Sequence, residues 1–263
     1  MIYIGTSGYS FPDWVGKVYP SEIDQRSMLR YYAFVWKFNV VELNFTYYRM
    51  PALKTVVGML RKTPSDFFFT VKLLQPVTHE IWRKGDTEEL SGILNHFTNA
   101  LVPMKNEGRL KCILVQFPRS FVKSRQNMDY ILVLRDFLVS HAPMAVEFRH
   151  DSWVSNETYD FLKEHSISHV VADEPRLDRL YPYVAVHTAS PAYFRFHGRN
   201  VRWFEAQGSR RYDYLYSREE LEEFAEDVKK MAEKGDVYVF FNNCYNGQAV
   251  TNALEFRKLL GEG

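Results

Sequence analysis

The sequence reads as a (β/α)8 barrel, on three observations. Eight short apolar runs recur along the chain, most followed by a stretch of helical periodicity, which is the alternation of parallel α/β proteins. No linker or repeat interrupts them. The 263 residues suit the roughly 250 of one barrel, so residues 1–263 are expected to form a single domain. Seven of the runs end in polar or charged residues, as strands do when their C-terminal ends build a site. An open doubly wound sheet is the alternative, but no Gly-x-Gly-x-x-Gly follows the first run, which weakens its dinucleotide-binding form.

Taken in order, residues 2–5 form a first strand that leaves through Thr6-Ser7-Gly8. The aromatic loop 9–20, with Phe11, Trp14 and Tyr19, is long for a bare connection and so suits a site. A helix is expected over 27–38 and a second strand over 40–44. Pro51 suits the first turn of a helix reaching about Lys62. The third strand is 67–72, and a long helix over 86–104 is capped by Asp86 or Thr87. Strand four covers 111–117 and is closed by Pro118; a helix over 124–140 leads to strand five, within MAVEFRHDSW at 144–153. Ser155 caps a helix to His165, and strand six is 168–173. The next segment, 174–191, holds three prolines and no helical period, so the sixth β/α connection is irregular. Strand seven is 192–198, Ser217 and Glu220 form a capping box for a helix to about Lys234, strand eight is 236–243, and a last helix covers 248–260.

Composition excludes several partners. The hydrophobic fraction of 46% and charged fraction of 25% are those of a soluble globular protein. A net charge of +1 gives no global basic field, so any polyanion must meet a local patch. Cys112 and Cys244 make neither a disulfide framework nor a metal-type pair, which suits a reducing compartment. No apolar run approaches the roughly 18 residues of a membrane span, and Met1 leads directly into a strand without a signal-like leader. A cytoplasmic protein without a membrane partner is expected.

The strand ends collect Glu42, Asn44, Lys72, Gln116, Glu147, Arg149, Asp173, Arg195, His197, Asn242 and Asn243. Lys72, Arg149 and Arg195 suit a phosphate, carboxylate or sulfate. Glu42, Glu147, Asp173 and His197 could serve as general acid and base. The same ring could instead be a structural plug, with Glu147–Arg149 and Asp173–Arg195 as ion pairs. His79, after strand three, and His150 are further members. Beyond strand seven, Arg199, Arg202, Arg210 and Arg211 interleave with Trp203, Phe204, Tyr212, Tyr214 and Tyr216, which suits phosphates and stacked bases or a lid packing its own rings. Trp14, Trp153, Tyr47 and Tyr48 are expected to line the mouth. A divalent metal is considered but not favoured, because no HxH or HExxH spacing is present. Ser7 sits in no GxSxG elbow and is set aside as a nucleophile.

Several motifs together resemble the YecE-like family, domain of unknown function 72. They are Gly5-Thr6-Ser7-Gly8 with Trp14 and Tyr19-Pro20, Val41-Glu42-Leu43-Asn44, Val71-Lys72 with Thr78-His79, Gln116-Phe117-Pro118, Glu147-Phe148-Arg149-His150, Arg195-Phe196-His197-Gly198, Tyr212-Asp213-Tyr214 and Asn242-Asn243. The chain departs from the family pattern at Tyr9 and Arg119. The resemblance implies a barrel akin to xylose-isomerase-like and endonuclease-IV-like barrels and supplies no reaction. Three functions follow from the residues. The first is an enzyme or binding protein for a phosphate-bearing substrate, nucleic acid included. The second is a sugar or sugar-acid enzyme with paired carboxylates, and the third a non-catalytic binding barrel. As an enzyme it would be a phosphodiester- or sugar-acting hydrolase or isomerase.

Overall fold

A computed structural model describes residues 1–261. Eight parallel strands are present: β1 (Ile2–Thr6), β2 (Val40–Leu43), β3 (Phe68–Lys72), β4 (Leu110–Gln116), β5 (Met144–Glu147), β6 (Ser168–Asp173), β7 (Ala192–Phe196) and β8 (Val237–Phe241). Strands β2 to β8 pair in sequence order and β1 pairs with β8, so the sheet curls into a (β/α)8 barrel.

Two apolar cores follow from the period-2 alternation of the strands. Side chains in one phase fill the barrel: Tyr3, Val40, Cys112, Leu114, Ala145, Val170, Tyr193, Tyr238 and Phe240. Near the N-terminal ends Tyr3 stacks on Tyr238 at 4.8 Å and meets Phe68 edge-on at 5.4 Å, which floors the barrel with rings. The opposite phase, including Val41, Val71, Val146, Val171, Phe194 and Val239, packs under the helices. Helix starts follow capping chemistry. Asp86, Ser124 and Ser155 each accept the backbone N–H three residues on, and Ser217 with Glu220 forms the reciprocal box.

Differences from the expected bounds have local causes. The first helix is only Met28–Phe34, because the chain turns through Lys37 at φ 56°. The helix after Pro51 begins at Leu53. The ladder of β2 stops at Leu43, where Asn44 opens the short helix Phe45–Tyr48. Strand seven stops at Phe196, and Gly198, at φ 89°, lies so close to Tyr214 that a Cβ would fall 2.6 Å from that residue's Cβ. Residues 174–191 form neither helix nor strand. Tyr181 from this segment is buried instead, its hydroxyl shared with Tyr159 at 2.9 Å and His169 Nε2 at 3.0 Å. No helix among the described residues is long and apolar enough to cross a membrane.

The barrel closes at a thin seam. β1 and β2 share one bridge, Ser7 to Glu42, in place of a ladder. The fully buried Tyr32 spans the gap: its hydroxyl accepts from the Thr6 N–H at 2.8 Å and donates to the Val40 carbonyl at 3.0 Å. Gly5 permits the approach, since a Cβ there would lie 2.3 Å from the Val40 oxygen. Tyr32→Phe leaves both backbone groups without that partner. It is expected to lower unfolding free energy by about 1–3 kcal/mol, measured by urea denaturation with the native circular dichroism spectrum retained. An unchanged midpoint would show that the hydroxyl is not what ties the seam.

Candidate functional site

Arg195 occupies the centre of the barrel top, fully buried. Its Nε and Nη2 donate to Glu42 Oε2 at 2.9 Å and Oε1 at 2.7 Å, a two-pronged grip, while Nη1 donates to Glu147 Oε2 at 2.5 Å. Tyr193, two residues earlier on β7 and therefore on the same face, donates its hydroxyl to Glu42 Oε2 at 2.7 Å. Charges this far from water persist only when paired. Burial alone would raise the Glu147 pKa, but Arg149 and Arg195 hold it well below the usual carboxylate range. Burial likewise opposes the charge on Arg195, and Glu147 with Glu42 more than offsets it.

A second tier lies above. Arg149 is 2.6 Å from Glu147 Oε1 and pairs through Nη1 with Glu174, so it carries two carboxylates. His197 Nδ1 is 2.7 Å from the Asn242 amide nitrogen, and Nε2 is 3.3 Å from Glu147 Oε1. Nε2 also lies 3.1 Å from Arg149 Nη2, a group that can only donate. Burial, then the Arg149 charge, lowers the His197 pKa to about 3, so the ring is neutral across ordinary pH. Glu174 is driven the other way: burial outweighs Arg149 and raises its pKa to about 7.

Lys72, at the end of β3, has different company. Its Nζ donates to Gln116 Oε1 at 2.6 Å and lies 4.3 Å from the centre of the Tyr47 ring. Among the described residues no carboxylate is within ion-pair distance of it. Burial, then repulsion from Arg195, lowers its pKa to about 7 against the partial support of Glu147 and Glu42. The Tyr47 hydroxyl reaches His79 Nε2 at 3.1 Å, and Thr78 Oγ1 holds Nδ1 at 2.8 Å. His79 rides on a π-helical turn, Val77–Ile81, a distortion that recurs at functional sites. Burial, then Lys72, lowers its pKa to about 4.

Of these groups, Arg195, Lys72, Gln116, Tyr47 and Asn242 face a cavity of about 490 Å3. Ser7, Asn44, Lys72, Gln116 and Asn242 line its wall, and the turn Gly208–Tyr212 roofs it, contributing Arg211 and Tyr212. Phe11, Asn44 and Tyr48 are shared with a second, more apolar cleft of about 510 Å3. Among the described residues no three His, Cys, Asp or Glu side chains group as metal ligands would.

The structure brings together Glu42, Glu147, His197, Lys72, Gln116, Arg149, Arg195, Asn44, Asn242, His79 and Arg211. Other expected members lie elsewhere. Asp173 shares the phase of Val171 and faces the helices, where Arg199 clasps both its oxygens at 3.0 Å and the Tyr216 hydroxyl donates at 2.7 Å. The expected Asp173–Arg195 pair is therefore replaced by Asp173–Arg199 and by Glu42–Arg195–Glu147. Asn243 shares the phase of Phe241 and donates to Tyr214 O and Asn252 Oδ1, each at 2.8 Å. Trp14 and Trp153 are fully buried core rings rather than mouth lining, their Nε1 groups donating to Cys244 O at 2.6 Å and Phe121 O at 2.7 Å. His150 Nδ1 accepts from Ser152 N at 3.1 Å and caps a local turn. Arg210 lines a separate surface cleft with Arg202 and Glu205. Conversely, Glu174 is a buried acid that the sequence reading passed over. Carrying the alternation Val170, Ala172 one step past the strand would have found it.

Removing the central cation tests the pairing. Arg195→Met strands Glu42 and Glu147 in the barrel and should cost about 3–5 kcal/mol of stability, read by chemical denaturation; a loss under 1 kcal/mol would contradict the arrangement. Glu174 gives a pH signature. Its folded pKa lies above the ordinary carboxylate value, so the folded state holds a proton that the unfolded chain has released. Stability from this group is therefore greatest below about pH 4.3 and declines until about pH 7. Glu174→Gln should match wild type near pH 4 and exceed it at pH 8. Denaturation midpoints that move in parallel with pH would refute the assignment.

The family model described as "Protein of unknown function DUF72" matches residues 3–263. The UPF0759 protein YunF of Bacillus subtilis (strain 168) is 29% identical, over 99% of this chain and 95% of that protein. A DUF72 family protein of Thermotoga maritima MSB8, solved by crystallography, is 52% identical, covers 99% of each chain and superposes with a TM-score of 0.93. Another, from Enterococcus faecalis V583, is 28% identical, with 99% and 96% of the two chains covered and a TM-score of 0.86. With residues 3–263 matched by that model, this chain belongs to the DUF72 family.

Proposed function

We propose that the barrel mouth binds a small molecule bearing an anionic group, a phosphate or a carboxylate. The observation that carries this reading is the charge inventory of the cavity. Arg149 and Arg195 are occupied by carboxylates, whereas Lys72 on the wall and Arg211 in the roof face the same space with none in ion-pair reach among the described residues. Two cations converging on one cavity favour an anion more than either would alone, and the half-buried Lys72 is screened less than a charge in open water. The amides of Asn44, Gln116 and Asn242 and the hydroxyl of Ser7 suit the hydroxyl or carbonyl oxygens of a compact polar skeleton. The expected clamp of Lys72, Arg149 and Arg195 thus narrows to Lys72 with Arg211. Glu42 and Glu147 both hold Arg195, so the sugar-enzyme reading with these two as acid and base is not adopted.

Calorimetric titration of inorganic phosphate and of small phosphorylated sugars tests this. Lys72→Met should weaken binding by about tenfold or more, and Arg211→Met by less, since Arg211 is exposed. Affinity should be highest below pH 7 and fall as pH rises through about 7, because the Lys72 ammonium is lost there. Lys72→Arg should bind without that pH dependence. Titration of single-stranded DNA beside these compounds separates a small ligand from a polymer; DNA binding that is salt-sensitive and Lys72-dependent would assign the anionic group to nucleic acid. Equal affinity in wild type and Lys72→Met would sink the proposal.

A further inference from the structure

We propose that Lys72 is an amine nucleophile, attacking an aldehyde or ketone carbonyl on the anionic ligand to form an imine at the end of β3. This rests on the reading of the mouth as an anion site and names the chemistry of the ligand's other end. A lysine serves as a nucleophile when it is partly withdrawn from water, close to other cations, and without a carboxylate that fixes its charge. Lys72 meets all three conditions. Its nearest partners are the Gln116 carbonyl oxygen at 2.6 Å and the face of Tyr47. Arg195 and Arg149 stand behind it, and the carboxylates that could neutralise it, Glu42 and Glu147, hold those arginines. Lys123 provides a contrast: it is also partly buried, but it is paired with Glu157 at 2.6 Å. Beside Lys72, Tyr47 and His79 are held neutral at ordinary pH, so neither supplies a counter-charge; the cavity they share is also lined by Tyr48, Arg211, Tyr212 and Cys244, none of them a carboxylate. The lowered Lys72 pKa of about 7 leaves a free amine fraction at neutral pH.

The chemistry balances within the site. The neutral amine adds its lone pair to the carbonyl carbon, forming the C–N bond as the C=O π pair moves to oxygen. The proton leaving nitrogen moves to that oxygen and gives the carbinolamine. Loss of its hydroxyl with one added proton breaks the C–O bond, releases water and leaves the protonated imine. The added proton is the one the ammonium gave up at the start, so ammonium plus carbonyl yields protonated imine plus water. The cavity of about 490 Å3 in front of Nζ accommodates the carbonyl compound, with Arg211 above for its anion.

Pyridoxal 5′-phosphate, an aldehyde bearing a phosphate, is the probe. The full chain is treated with it at pH 7.5, reduced with borohydride and mapped by peptide mass spectrometry. A stoichiometric adduct at Lys72 that inorganic phosphate suppresses is expected. Lys72→Arg should lose the adduct while still binding phosphate. Labelling spread over surface lysines with Lys72 unmodified overturns the inference, as does undiminished labelling of Lys72→Arg. An adduct at Lys72 that phosphate does not suppress overturns the anion reading and leaves the amine chemistry standing. If Lys72→Arg does not fold, the labelling rate of wild type decides instead. A rate half-maximal near pH 7 supports the inference, and one that rises only toward the ordinary lysine value of about 10.4 overturns it.

Discussion

The buried fork between Arg195, Glu42 and Glu147 is the interaction on which the rest of the mouth depends. Three charges sit where water does not reach, and each is tolerable only because the others are within hydrogen-bond distance. That requirement fixes β2, β5 and β7 in mutual register, since a slip of one residue would turn each charge toward the helices and leave its partner alone. It also decides what the neighbours can do. With both carboxylates engaged by Arg195, Arg149 turns to Glu174 as well as Glu147, and Lys72 is left with an amide and an aromatic face. The reactive character of Lys72 is thus a consequence of pairing elsewhere.

Much of this was legible in the chain because a strand's period of two carries through its end. Ala145, Glu147 and Arg149 alternate onto the inner face although the ladder of β5 stops at Glu147, and Tyr193, Arg195 and His197 do the same on β7. The failures share a cause. Polarity near a strand end does not reveal phase: Asp173 and Asn243 face outward, whereas Glu174 faces in. The pairing of Asp173 with Arg199 was not readable, because it depends on where the chain travels after Gly198 turns.

Aromatic residues were harder to place. Trp14 and Trp153 combine large apolar area with one N–H donor, so a sequence permits either a stacking surface or a buried ring with one satisfied bond. The fold chooses burial by presenting the Cys244 and Phe121 carbonyls. Tyr32 is similar: helical spacing gives its burial, but nothing local indicates that its hydroxyl bridges β1 and β2. The roof was legible only as composition. Four arginines interleaved with rings told of a positive, aromatic segment, while the turn Gly208–Tyr212 decides that Arg211 faces the cavity and Arg210 another cleft.

The central claim is that Lys72 is a half-buried, carboxylate-free amine facing a ligand cavity. Its most direct test is the pH titration of the Lys72 side-chain carbon next to Nζ, followed by nuclear magnetic resonance on selectively 13C-labelled protein with and without phosphate. A midpoint near pH 7 that moves upward when phosphate is added is the predicted result. A midpoint at the ordinary lysine value of about 10.4, unmoved by phosphate, would contradict the account.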